Sequence, residues 1–532
     1  MDKSDSTAPV TGGKTFLGHP PGLFLLFLVE MWERFSYYGM RAILVLYLVH
    51  ETTGANPGRG WSKADASNLY GWYTGLAYLL PLFGGMIVDK LIGTHRSMII
   101  GSIIIALGHI VLAVSGLGTL VHSSLGMSVF MTGLVLIILG TGHFKPTSAV
   151  MVGQLYALDD PRRDGAFTIF YMGINVGAFI CAFICGTLGE RVGWHWGFGS
   201  AAVGMILGLC TYLLGKPIYL KGIGAAPEGK PNYAPVFIVT AILISASVGL
   251  LYHAGFFGWL GGWVNVIIGL LGGGFLMSIG LSIAGIIWSV WFISKLEPDD
   301  RGPTACILIF MVFNAVFWLA FEQAGSSLNF FADEKTNRLI TLPVKGVFEI
   351  PATWFQSVNP MLIILLGPVF AALWPALGRH GLNPSQPMKI GLALLLVGLG
   401  YVFMVAGIMS TPAGAKAGMF WLIATYTLHT WGELCISPTG LSFVTRAAPV
   451  RYVSFLMGIW FLSSVVANTL GGMVAAQIEK IEQGRLDLFW YRWFKLGGQA
   501  DFFLLFVISS VGTGLLVILF TPLLKRLLHG RE

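Results

Sequence analysis

The run from Glu30 to Arg41 (EMWERFSYYGMR) sets two carboxylates, two guanidiniums and two phenols into a stretch that is otherwise apolar. At roughly 100° per residue along an α-helix, Glu30, Glu33, Arg34, Tyr37 and Arg41 fall within an arc of roughly 100°, with Tyr38 at its edge. Two kinds of chemistry suit such a stripe. Guanidiniums bind a carboxylate through two parallel hydrogen bonds, and a carboxylate that is desolvated, or that loses its cation, takes up a proton near ambient pH. A cluster of ion pairs that merely joins helices is the plainer alternative, although four charges exceed what packing requires. Exposure to hydrocarbon is excluded, because each ionised group there costs at least about 2.5–3.5 kcal/mol.

Three more charges stand alone in apolar sequence: Lys145, Glu322 and Glu433. Each needs an opposite charge or water nearby. Glu30, Glu33 and Glu322 are the carboxylates placed to carry a proton, and spacing leaves all three open. Histidine as a residue type titrates in the right range, which brings His143 and His429 into consideration, but a satisfied interior histidine is the commoner condition. Tyr38, Tyr78, Trp318 and Trp460 offer aromatic surfaces to a ligand. By residue type alone, packing or interfacial anchoring describes these four as well.

These side chains must be held by helices in a bilayer. The chain has 532 residues, of which 55% are hydrophobic and 11% charged, and its mean hydropathy is +0.75; a water-soluble domain does not have this composition. A bilayer core of about 30 Å needs roughly 20 apolar residues per helix. Runs that satisfy this fall at 21–50, 65–92, 95–116, 127–156, 165–188 and 195–215, then at 234–254 and 262–294, then at 302–330, 352–378, 387–409, 417–446, 452–478 and 501–524. The expectation is an all-α polytopic membrane protein with 14 transmembrane helices. With the N-terminus in the cytoplasm, inside loops and tails hold 18 Lys and Arg and outside loops 11, as the positive-inside rule requires. Both termini are then cytoplasmic. The six, two, six grouping suggests a tail over 1–20, a six-helix bundle over 21–215, a linker with two inserted helices over 216–300, a second bundle over 301–526 and a tail over 527–532. That is the organisation of the major facilitator fold, and the run GMIVDKLIGTHR (Gly85 to Arg96) resembles the cytoplasmic signature of that superfamily.

Other classes find little support. The net charge of +7 sits in short loops rather than on one face, which argues for topology and against nucleic acid. Cys181, Cys185, Cys210, Cys306 and Cys435 all lie in apolar segments, so neither disulfides nor a metal site is expected. No apolar core precedes Pro20, so no cleavable signal is expected. Gly12-Gly13-Lys14-Thr15 imitates the end of a phosphate loop, but Ala8 stands where the first glycine belongs. No nucleophile and base appear at useful spacing, so an enzyme is not expected.

The run Glu30-Met-Trp-Glu33-Arg34-Phe35 resembles the ExxERF motif of the proton-dependent oligopeptide transporter family. Gly140–Pro146 (GTGHFKP), Phe167–Phe179 (FTIFYMGINVGAF), Phe317–Ser326 (FWLAFEQAGS), Trp354–Pro360 (WFQSVNP), Gly432–Pro438 (GELCISP) and Met457–Ser463 (MGIWFLS) are similar to further motifs of that family, in order and in both halves. The resemblance implies proton-coupled symport of di- and tripeptides by alternating access, driven by the proton gradient without a cofactor. It also implies a multi-pass protein of a bacterial inner membrane, taken as a monomer, whose partners are peptides, protons and the lipid bilayer. The carboxylate of the peptide falls to Arg34, Arg41 and Lys145, and its ammonium to Glu433 with Asn175 and Asn359. Tyr37, Tyr38, Tyr78, Trp318, Trp460 and Ser464 complete the peptide-binding set, and Glu30, Glu33 and Glu322 the proton-coupling set. Two gate pairs are implied, Arg41 with Glu322 and Lys145 with Glu433. The rivals are a family member for another substrate such as nitrate, which would lack one terminus-binding group, and a proton-coupled drug exporter, which would not need paired arginines.

Overall fold

The computed structural model describes residues 15–157, 159–227, 229, 231–270, 273–343 and 346–531. The first helices are α1 Pro21–Val49, α2 Lys63–Ile87, α3 Gly93–Val114, α4 Ser124–Gln154, α5 Arg163–Cys181 and α6 Trp194–Tyr219. Next come α7 Ala234–His253, α8 Phe256–Leu270, α9 Gly273–Ser294, α10 Pro298–Phe321 and α11 Ser327–Glu334. The remainder are α12 Val358–Arg379, α13 Gln386–Ser410, α14 Met419–Ala447, α15 Val453–Ala475, α16 Ile478–Glu482 and α17 Gln499–Leu527. Among the described residues, ten helical stretches are long and apolar enough to cross a bilayer. With 29 residues α1 is as long as these, but its four charges interrupt the apolar run. The run expected over 262–294 is described as α8 and α9 on either side of 271–272, and it begins earlier, at Phe256. Residues 1–14, with most of the phosphate-loop mimic, lie outside the described residues. Among the described residues, four short strands qualify the all-helical expectation: β1 Thr336–Asn337 pairs in parallel with β4 Ala417–Gly418, and β2 Leu339–Leu342 pairs with β3 Gly346–Glu349.

By packing the chain forms two units. Described residues up to 61, with 76–249 and 349–364, make the first; 62–75, 250–348 and 365 onward make the second. In the first unit α1 packs against α5 and α6, and α3 against α4 and α6, around a core that includes Leu23, Leu26, Val29, Met98, Phe144, Met205 and Tyr212. One inserted helix belongs here, since Phe237, Ile238 and Ala241 of α7 pack on Ile92, Ile100, Ile104 and Leu136.

A proline sets the approach of α2 to α4. Pro146 lacks an N–H, so the Gly142 carbonyl four residues earlier loses its helical partner. A Cβ at Gly84 of α2 would collide with that carbonyl oxygen. Only glycine allows backbones this close, where a Cα–H faces the released oxygen. The approach brings Tyr78, which precedes Gly84 on α2, to Lys145 on α4.

In the second unit α13 packs against α14 and α17, and α10 against α13, α15 and α17. The helix expected as continuous over 302–330 is broken. After Phe321 the backbone passes through a 3₁₀ turn at Glu322–Gly325, and Ser326 sits at φ −132°, ψ −93° before α11 begins. Backbone groups released in a membrane helix must find partners within the protein. The Tyr401 hydroxyl donates to the Ala320 carbonyl at 2.7 Å, and Ser327 donates to Gln323 Oε1 at 2.7 Å. Gln323 Nε2 donates to the carbonyls of Leu319 at 3.2 Å and Gly471 at 3.1 Å. Gly325 at the break abuts the Tyr70 ring, where any Cβ would overlap the hydroxyl.

Candidate functional site

The α1 stripe is buried as its periodicity requires: Glu30, Glu33, Arg34, Tyr37 and Arg41 are each at most 6% exposed. Arg34 Nε lies 2.8 Å from Glu30 Oε1 and 2.9 Å from Glu33 Oε2, so one guanidinium edge bridges both carboxylates. Among the described residues neither terminal nitrogen of Arg34 donates a hydrogen bond, whereas Nε donates to Glu30. The Arg34 guanidinium carbon stands 5.8 Å from the Tyr37 ring centre, and that of Arg41 stands 5.8 Å from Tyr37 and 5.6 Å from Tyr38. The two phenols, meeting edge to face at 5.3 Å, therefore hold both arginines at fixed depth. Lys145 is half-buried, with Nζ 3.5 Å above the Tyr78 ring and Glu33 within Coulombic range. Tyr78, grouped by resemblance with the peptide-binding aromatics, thus seats the lysine.

Asn175 of α5 donates its amide to the Tyr171 carbonyl at 3.0 Å. That fixes the rotamer and turns the side-chain oxygen into the atom available as an acceptor. His143 approaches Ser97 Oγ with Nδ1 at 3.3 Å and packs edge to face on Phe237, which is an interior packing role.

Sequence reasoning missed a cluster at the end of α5. There the backbone widens into π-turns over Ala182–Gly186 and Leu188–Val192, and the Glu190 carboxylate accepts from the backbone N–H of Ala352 and of Thr353, each at 2.9 Å, and from Thr353 Oγ1 at 2.7 Å. Trp354 Nε1 donates to Thr187 Oγ1 at 2.9 Å, and Arg191 reaches the Glu349 carbonyl. A carboxylate on the free N–H groups of a starting helix is an N-cap supplied from another element. It anchors the turn that leads into α12, whose second residue is Asn359. The only signal in the sequence was a charged pair after α5, which resembles any loop. We expect Glu190→Ala to cost about 1–3 kcal/mol through two uncapped amides, read as faster thermal inactivation with a larger loss of affinity than Glu190→Gln produces.

In the second unit, Glu322 lies at the break after α10 and Glu433 on α14, both buried. A polar relay runs between α10 and α15: Trp318 Nε1 donates to Asn314 Oδ1 at 3.2 Å, Asn314 Nδ2 to Ser463 Oγ at 2.8 Å, and Ser463 Oγ to the Trp460 carbonyl at 2.6 Å. The relay fixes the Trp318 indole relative to the α15 backbone at Trp460, two positions expected as ligand surfaces, and its middle member Asn314 was not among the expected residues. The Ser464 carbonyl accepts from Asn468 Nδ2 at 2.9 Å. His429 packs against Tyr401 and Phe321, at 4.8 and 6.2 Å between ring centres. Arg41 and Lys145 belong to the first unit, and Glu322 and Glu433 to the second.

A model of the POT family matches residues 95–491. A di-/tripeptide transporter of Lactococcus lactis subsp. cremoris is 37% identical over 523 residues, covering 96% of this chain and 97% of that protein. The peptide transporter YePEPT of Yersinia enterocolitica is 38% identical over 489 residues, covering 88% and 90%. Among solved structures, the peptide transporter POT in complex with sulfate superimposes with a TM-score of 0.76 at 33% identity, covering 97% of each chain.

Proposed function

From the premise that this chain belongs to the POT family, we propose that it is a secondary active transporter, not an enzyme, that carries di- and tripeptides across a bacterial inner membrane together with protons. The observation that carries the reading is Arg34, whose Nε is held between Glu30 and Glu33 while its terminal nitrogens are left for a ligand carboxylate. Arg41 and Lys145 supply further positive charge. Glu433, with the oxygens of Asn175 and Asn359, takes the ammonium, and Tyr38, Trp318, Trp460 and Ser464 border the side chains. A zwitterionic substrate fits this inventory, whereas an anion such as nitrate would leave Glu433 without a role.

Fourteen spans with both termini cytoplasmic is the topology we favour. The 52-residue stretch Lys63–Val114 is long enough for two spans; with α1, α14 and one span from α8 and α9, the ten apolar stretches then account for fourteen. The sequence ranges 21–215, 216–300 and 301–526 supply the two bundles and the insert. The monomer remains the simplest assembly.

Counterflow in liposomes tests the function. Dialanine should exchange, while nitrate and a lipophilic cation should not; exchange of the cation with no dialanine exchange would identify an exporter instead. In the same liposomes Glu322→Gln tests coupling. An amide fixed at the helix break mimics the protonated acid, so dialanine counterflow should persist while accumulation driven by a pH gradient disappears. Full accumulation by Glu322→Gln would remove this residue from the proton path.

A further inference from the structure

Away from the transport residues, the turn joining α12 to α13 gathers buried donors that have no strong acceptor. Lys389 is 8% exposed, and its Nζ lies 4.6 Å over the Trp374 ring. Among the described residues it forms no ion pair; the groups within Coulombic range are the Cys435 thiol, a weak acceptor, and a second cation, Arg446. Around it, Trp374 Nε1, Gln386 Nε2 and Ser385 Oγ are buried without a hydrogen-bond partner, and Gln386 as a whole is 5% exposed. The backbone adds to this. Ser385 is the N-cap of a 25-residue helix but its hydroxyl caps nothing, and Pro387 in the first turn has no N–H. The amides of Gln386 and Met388 therefore lack partners within the helix. Gln386 and Lys389, three residues apart, share one helix face.

A buried ammonium beside a second cation, a helix N-terminus and three orphaned side-chain groups is a costly arrangement unless something rich in acceptors occupies it. The helix terminus favours negative charge, and the number and spread of donors exceed what one halide can satisfy. We propose that Lys389, Gln386, Ser385 and Trp374 form a binding site for a tetrahedral phosphate-type oxyanion, distinct from the peptide site. Such a group comes either from a phospholipid headgroup or from soluble phosphate. Leu373 and Leu382 flank the turn with exposed apolar surface, which suits a headgroup lying at the bilayer boundary.

The test uses the full chain, purified and delipidated in detergent. One arm titrates inorganic phosphate against chloride at constant ionic strength; the other adds phosphatidylglycerol and counts retained lipid by native mass spectrometry. One ligand per chain is expected in at least one arm, and the arm that responds identifies the source. Lys389→Met keeps the stem and removes the charge, and Trp374→Phe keeps the ring and removes the N–H. Each should weaken that binding about tenfold or more. Trp374→Phe preserves the cation–π seat, so it guards against misfolding of the lysine variant. Dialanine exchange by wild-type protein is measured alongside, so failure of the oxyanion site is separable from failure of the peptide-transport reading. Binding in neither arm, or binding unchanged in both variants, overturns the proposal.

Discussion

Dialanine amide should compete for uptake at least about 30-fold more weakly than dialanine itself, and Arg34→Lys should abolish most of that difference by weakening the free acid alone. The reason is geometric. Arg34 commits Nε to Glu30 and Glu33, an arrangement that a planar guanidinium can make while its far edge still forms two parallel bonds to a carboxylate. A lysine ammonium has no such fork. If it satisfies the two buried glutamates it cannot present a second, oriented pair of donors. Replacing the peptide carboxylate by an amide leaves Arg34, Arg41 and Lys145 facing a neutral group, and a buried cation deprived of its partner costs roughly 2–5 kcal/mol, which is about 30-fold or more in affinity. Inhibition of labelled peptide uptake by the two compounds measures this. Equal inhibition would show that the arginine stripe binds only its own glutamates and that the C-terminus is read elsewhere.

How far pattern reading reached depends on whether a feature is local. The α1 stripe follows from helix periodicity alone, and all five residues of the arc are buried together. The spans follow from hydropathy for the same reason. What escaped were features made by residues distant in sequence. Glu190 caps a turn at Ala352 and Thr353, a contact that no local rule connects. The break after Phe321 leaves a trace in the Ala-Gly-Ser-Ser run, yet its stability depends on Tyr401 and Gln323 donating to the freed Ala320 and Leu319 carbonyls. Tyr78 has an ordinary aromatic's sequence context, and only the Gly84 approach to Gly142 shows that it seats Lys145. Helix count also misleads about packing: residues 349–364 pack with the first unit and 62–75 with the second, so the order of spans in the chain is not the order of neighbours.

Exchanging the charges of Lys145 and Glu433 tests whether polarity is read by these two residues. Each is a charge within apolar sequence, and Lys145 is further held by its 3.5 Å approach to the Tyr78 ring, a seat built for a cation. Single neutralisation, Lys145→Ala or Glu433→Ala, should abolish uptake driven by a proton gradient, because each strands charge or ligand in a desolvated position. The double variant Lys145→Glu with Glu433→Lys restores the net charge and so should recover membrane expression. It should not recover uptake, for two separable reasons. The peptide carboxylate would meet a second carboxylate at position 145, and its ammonium a second ammonium at position 433, which is repulsion at both ends. In addition a carboxylate over Tyr78 faces the negative face of the ring, which removes the seat that aims the residue at position 145. Adding Tyr78→Leu to the exchange separates these causes: it relieves the second and leaves the first, so uptake should stay lost. Uptake near the wild-type rate in the exchanged protein, at matched expression, would mean that the two charges act only as a strut and that the peptide's termini are distinguished by Arg34 and Arg41 alone.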